Sequence, residues 1–138
     1  MSLGTVLGEF QAKATTVRQT DIGGGQVRFE IDLAGESSGR VPGQNIGTMT
    51  VTAGSDPTRP SPWSYIGTLL AKSGAVVRVS GWGVGMRTGQ GHKVRYRGAV
   101  CYVTDDSKLA EFNGMIAAVE SEADPATMLL TGTTHEWK

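Results

Sequence analysis

The residues of this chain best suited to chemistry are two carboxylates, a set of aromatic rings and one arginine. Glu120 lies ahead of a C-terminal run that reads His135-Glu136-Trp137. A carboxylate held beside apolar or aromatic groups has its charged form disfavoured, which raises its pKa towards the range of a useful acid or base. Glu120 and Glu136 are therefore the candidate catalytic groups, suited to proton transfer on an unsaturated or carbonyl substrate. Tyr65, Trp82 and Tyr96 are the candidate walls of a ligand pocket, with Arg97 beside them as a ligand-binding cation. Each also has a plain structural reading: a solvated Glu at a strand end, and rings that fill a core.

Most other chemistry is excluded. No phosphate-binding glycine loop, dinucleotide fingerprint, C-x-x-C pair, H-E-x-x-H motif or G-x-S-x-G elbow occurs. Gly81, Gly83 and Gly85 have the wrong spacing for a nucleotide loop. With two histidines, His92 and His135, and one cysteine, Cys101, no metal site is expected. No cofactor is implied. Cys101 reads as a small buried residue rather than a nucleophile, and a lone cysteine forms no intramolecular disulfide.

The chain has 138 residues, 13 basic and 13 acidic, for a net charge of zero. That length predicts one domain over residues 1–138. The charges are unevenly placed. Between Pro57 and Thr104 there is no acid, against Arg59, Lys72, Arg78, Arg87, Lys93, Arg95 and Arg97; Asp105, Asp106, Glu111, Glu120, Glu122 and Asp124 follow. Such a basic stretch could meet an anionic ligand, or it could pair with the acidic strand beside it. Net neutrality favours the pairing, so no nucleic-acid partner is expected. No apolar run approaches the ~20 residues of a membrane helix, so no membrane partner is expected either. The start lacks a basic cluster and an apolar core, so a signal peptide is not expected, and the lone thiol fits a cytoplasmic location.

The elements that must position these residues are short strands. Gln26–Gly35 is the clearest, with Val27, Phe29, Ile31 and Leu33 alternating with Arg28, Glu30, Asp32 and Ala34. Further strands are predicted over 8–18, 46–52, 63–71, 76–87, 93–103, 115–122 and 127–137. Gly23-Gly24-Gly25, the proline-rich 54–62 segment and Thr88–Gly91 separate them as turns and loops. In the fifth strand the three glycines share one face and Trp82, Val84 and Met86 the other. A bare face means either a tightly bent, closely packed strand or room for a ligand. Asp105–Phe112 reads as one or two helical turns capped by Asp105, Asp106 or Ser107, with Asn113-Gly114 as the stop. The expected fold is all-β with one short helix: an eight-stranded antiparallel up-and-down barrel, which leaves no exposed sheet edge.

The C-terminal third adds a resemblance. Tyr96-Arg97-Gly98-Ala99, Thr104, Lys108-Leu109-Ala110-x-Phe112-Asn113-Gly114, Val119-Glu120 and the ending Gly132-x-x-x-Glu136-Trp137-Lys138 resemble small bacterial proteins of unassigned function with the allene oxide cyclase-like barrel, a relative of the lipocalin-type calycin barrels. Gly8-Glu9-Phe10 is similar to their first strand. The resemblance implies an apolar lumen that folds a flexible lipophilic molecule into a reactive shape, which is catalysis by positioning. Two functions are expected from it: binding of a hydrophobic small metabolite, with cyclase or isomerase activity as its catalytic form, or a filled barrel with a structural role in a homo-oligomer.

Overall fold

The structure is a computed structural model describing residues 3–137. Eight strands form a closed barrel in which every neighbour is antiparallel and sequential. They are β1 (Leu3–Gly23), β2 (Gln26–Ser37), β3 (Gly43–Gly54), β4 (Ser61–Ala71), β5 (Val76–Arg87), β6 (Val94–Thr104), β7 (Ile116–Asp124) and β8 (Leu129–Trp137). β1 closes the barrel by pairing with both β2 and β8. The expected architecture is thus the observed one. The main difference is β1, which begins earlier and runs further than the alternation around Phe10 indicates. Register shifts between Val6 and Gly8 and between Ala14 and Thr16 bend it around the wall.

Period-two alternation decides what is inside. Leu33, Met49, Trp63, Tyr96, Val100, Val119 and Leu130 meet in the core, while Arg28, Glu30 and Asp32 of β2 face outward with Arg18 near Glu30 and Asp32. The basic stretch is answered across β6 and β7: Arg97 pairs with Glu120 at 2.9 Å, and Glu122 faces both Lys93 and Arg95 at 3.9 Å.

The short helix is a 3-10 turn over Ser107–Phe112, opened by the Asp106 carboxylate accepting from the Lys108 N–H. It is tied to the barrel through Asn113. The side-chain amide of Asn113 donates to the Thr104 carbonyl at 3.0 Å, and its oxygen accepts from the Thr104 N–H at 2.9 Å. The amide thereby imitates one further residue of strand pairing beyond the end of the β6–β7 ladder. Gly114, at φ +82°, then reverses the chain into β7. No helix among the described residues is long and apolar enough to cross a membrane.

Candidate functional site

The lumen is the candidate site, and it is divided in two. One end is sealed. The β2–β3 loop folds over it, with the Ser38 N–H donating to the Glu9 carbonyl and the Arg40 N–H to the Leu7 carbonyl, both at 2.9 Å. Arg40 pairs with Glu111 and lies 5.2 Å from the centre of the Phe112 ring, so one side chain joins the loop to the 3-10 turn. Behind this seal is a chamber of about 150 Å³, lined mostly by apolar groups, with Tyr65, Tyr96, Tyr102, Asn45, Ser121 and Thr134 among its polar members and Glu9, Ser37 and Ser38 beside the covering loop.

The other end is an open cup of about 780 Å³. Phe29, Ile31, Val51, Ala53, Val94 and Ala123 form its wall, and Asp56, Arg59, Arg87 and His92 stand at its rim. Leu33, Met49, Tyr96 and Leu130 line both spaces, so these four side chains form the partition between them.

The aromatic rings occupy the places of missing side chains. A Cβ on Gly47 or Gly67 would collide with the Tyr65 ring, one on Gly85 with Tyr96, and one on Gly98 with Trp63. The glycine face of β5 therefore points inward and is filled by the chain's own atoms: Val100 over Gly81, the Arg97–Gly98 backbone over Gly83 and the Tyr96 ring over Gly85. It is the closely packed alternative, not vacant space. Trp63 is fixed further: its indole N–H donates to the Arg97 carbonyl at 3.2 Å, and it meets Tyr96 edge-on at 6.5 Å.

Of the residues singled out from the sequence, Tyr65 and Tyr96 face the lumen. Burial pushes both phenols above the ordinary tyrosine pKa, so they are neutral hydrogen-bond donors throughout the physiological range. Trp82, Arg97 and Glu120 stand on the outer face. The parity that turns Gly81 and Gly83 inward turns Trp82 outward, and Trp82 is 53% exposed. Val119 and Ser121 face in, so Glu120 faces out, where it shares a shallow external groove with Arg97, Arg95 and Glu122. Glu136 has inward parity, opposite the fully buried Ala117, but it lies at the end of β8 and lines neither space. The lumen thus brings together Tyr65 and Tyr96 and separates them from both carboxylates. No cluster of three metal-ligating side chains exists among the described residues.

Sequence reasoning passed over the cup wall and, Tyr96 apart, the partition. The alternation of β2 carried the signal, since it places Phe29, Ile31 and Leu33 on one face. Tyr102 was likewise legible as sharing the parity of Tyr96. Its phenol is pushed up by burial, drawn part way back by a side-chain hydrogen bond with Thr134, and raised again by the Cys101 thiol.

These features define a closed antiparallel barrel with one sealed chamber and one open cup. No protein-family model matches the chain, and no curated protein matches it. Solved structures do. The chain is similar to a beta-barrel like protein from Acinetobacter baumannii, at TM-score 0.84 and 13% identity, covering 99% of this chain and 96% of that one. It is similar to a protein of unknown function from Clostridium acetobutylicum, at TM-score 0.83 and 12% identity, covering 100% of each. It is also similar to an enzyme from Penicillium herquei, at TM-score 0.64 and 17% identity, covering 99% of this chain and 97% of that one. At such identities the shared property is the barrel fold.

Proposed function

We propose that the barrel binds a hydrophobic small metabolite in its lumen, entering through the open cup. The observation that carries this reading is the cup itself. At about 780 Å³ it falls within the ~300–1,000 Å³ of small-molecule sites, and its wall is apolar and aromatic. The sealed chamber is too small for a drug-sized molecule. It matches the ~150 Å³ of an apolar cavity that accepts benzene, so it suits one end of a ligand only if the partition yields. A ligand seated in the cup rests on the Tyr96 side of that partition. A neutral phenol there could donate to a carbonyl or epoxide oxygen and stabilise charge developing on it. This supports cyclase or isomerase chemistry of the allene oxide cyclase-like kind, and a similar barrel being an enzyme adds to that support. Glu120 and Glu136 contribute to it only if the barrel rearranges; Tyr96 needs no such movement.

A second reading, a filled barrel with a structural role, is favoured by the solid packing of Leu33, Met49, Tyr96 and Leu130 at mid-height. Titration with the neutral fluorescent probe N-phenyl-1-naphthylamine separates the two. Lumen binding predicts saturable fluorescence enhancement that Ala53→Trp, which fills the cup wall, weakens at least tenfold without lowering the melting temperature. Absence of saturable binding in the parent protein would favour the filled barrel.

A further inference from the structure

The outer wall formed by β3, β4, β5 and the end of β6 is unlike the rest of the surface. Among the described outward positions of β3, β4 and β5 the one charged residue is Arg78. Ile46, Ile66, Trp82, Val84, Met86 and Val103 all stand exposed on this wall, Ile66 to 75%. The register sets them on adjacent rows of one face, interleaved with Ser64, Thr68, Ser80 and, opposite Val103, Arg78. Ser64 lies opposite Trp82 and Trp82 opposite Ala99; one step along, Ile66 lies opposite Ser80 and Ser80 opposite Cys101. The borders are charged: Arg18 with Glu30 and Asp32 on the β2 side, Arg97 with Glu120 and Arg95 with Glu122 on the β6–β7 side. An apolar centre inside a polar rim is the anatomy of a protein interface.

We infer that this wall docks a second copy of the chain, giving a homodimer with the two barrels side by side. Area is the first argument. Three strands about 4.8 Å apart, each about 10 residues long at about 3.3 Å per residue, span on the order of 500 Å² in projection, and the end of β6 adds to this. Side-chain relief brings the total towards the ~800 Å² per partner of a standard interface, at the upper end of the usual largest surface patch. Charge is the second. The wall carries the single charge of Arg78 and the named rim ions are already paired within the chain, so a strongly charged partner gains little, whereas a second such wall meets little like-charge repulsion once the two-fold offset keeps the Arg78 side chains apart. Shape is the third. Trp82 is in register with Ser64, and Ile66 with Ser80; both serines are exposed, and a two-fold operator that offsets the walls seats each indole over these small residues of the other copy. A bilayer is the less suitable occupant, because the apolar surface does not encircle the barrel: β1–β2 and β6–β7 carry ion pairs on their outer faces.

Sedimentation velocity of the full chain from 1 to 100 µM tests the inference. The parent protein should pass from the chain mass towards twice the chain mass across this range. Ile66→Lys and Trp82→Glu, both at exposed positions, should each raise the dissociation constant at least 100-fold with an unchanged melting temperature. Thr131→Lys, on the opposite wall, should leave it unchanged. Cys101 supplies an independent reading: its reaction with a thiol reagent should slow at least tenfold as the parent protein is concentrated from 1 to 100 µM. A parent monomer at 100 µM overturns the inference. So does a dimer indifferent to both wall substitutions, a concentration-independent thiol rate, or a monomer that floats with phosphatidylcholine vesicles and loses this through Ile66→Lys.

Discussion

Trp63 and Trp82 lie on the same two-strand ribbon. Trp63 pairs in register with Gly83, and Trp82 with Ser64, yet one indole faces the core and the other the surface. Replacing each with Ala therefore separates the inside of the barrel from the outside. Trp63 is 7% exposed, packs against Gly98 and Tyr96, and satisfies the Arg97 carbonyl. Removing a buried Trp costs about 3–5 kcal/mol, and leaving that carbonyl without its donor adds about 1 kcal/mol. Trp63→Ala should thus lower the melting temperature by roughly 12–30 °C, using about 3–5 °C per kcal/mol for a domain of this size. Trp82→Ala removes a ring already half in water and should cost less than about 1 kcal/mol in the monomer. Trp63→Phe should fall between, at about 1–2 kcal/mol, since packing largely survives and the hydrogen bond does not. Urea unfolding followed by far-ultraviolet circular dichroism at low protein concentration is the assay, because tryptophan emission is itself altered by the substitutions. Equal costs at the two positions, or a loss below about 1.5 kcal/mol for Trp63→Ala, would refute the assignment of inner and outer faces.

All three tyrosines have phenols pushed above pKa 10 by burial. The unfolded chain therefore loses phenolic protons above about pH 10 while the folded chain keeps them, so stability is full below that pH and falls as pH rises towards the folded values. Absorbance at 295 nm should stay flat through pH 10 and rise only together with unfolding; a noncooperative rise near pH 10 would contradict the burial. Asn113→Ala should cost about 1–3 kcal/mol through its two bonds to Thr104. Asn113→Asp should cost as much or more, since a carboxylate oxygen replaces the donor facing the Thr104 carbonyl, and chemical denaturation would show an Asp variant of parental stability to be inconsistent with this pairing. Arg97 and Glu120 are both half or more exposed, so a double-mutant cycle should give a coupling below about 1 kcal/mol that fades in 1 M salt; a large salt-insensitive coupling would mean the pair is not on the surface.

Strand periodicity was legible because antiparallel strands of a barrel have one wet and one dry face, and residues 26–35 record both. The pairing of basic with acidic stretches was legible too, because β6 and β7 are neighbours in sequence and therefore in the sheet. The site was less so. Alternation fixes which residues share a face, but an isolated strand does not declare which face is inward when both carry aromatics. β5 shows this: Trp82, Val84 and Met86 are the bulkier set, yet the glycines face in. Their space is taken by Val100, Tyr96 and the backbone of β6, which no reading of β5 alone can supply. Glu120 and Arg97 were drawn into the site by residue type, whereas parity sends them out.

That arrangement bears on how the lumen could change shape. Tyr65 rests on Gly47 and Gly67, Tyr96 on Gly85 and Trp63 on Gly98, so part of the inner wall consists of ring-on-glycine pairs rather than independent side chains. Adding a Cβ to the glycine displaces the ring, and shrinking the ring exposes the glycine. Gly85→Ala should therefore act on the partition through Tyr96, whose ring edge the new methyl would meet at 2.6 Å. Gly85→Ala alone should cost about 1–3 kcal/mol from overpacking. Combined with Tyr96→Leu, which withdraws the ring, its additional cost should largely disappear. A double-mutant cycle by urea unfolding would then show a favourable coupling of at least about 1 kcal/mol. The same double variant removes the one phenol of the partition, and so joins the sealed chamber to the cup. If the lumen is the binding site, it should take longer apolar probes than the parent while losing any turnover that depends on the Tyr96 hydroxyl. Additive costs would mean that ring and glycine do not form a unit, and that the partition is set by the backbone instead.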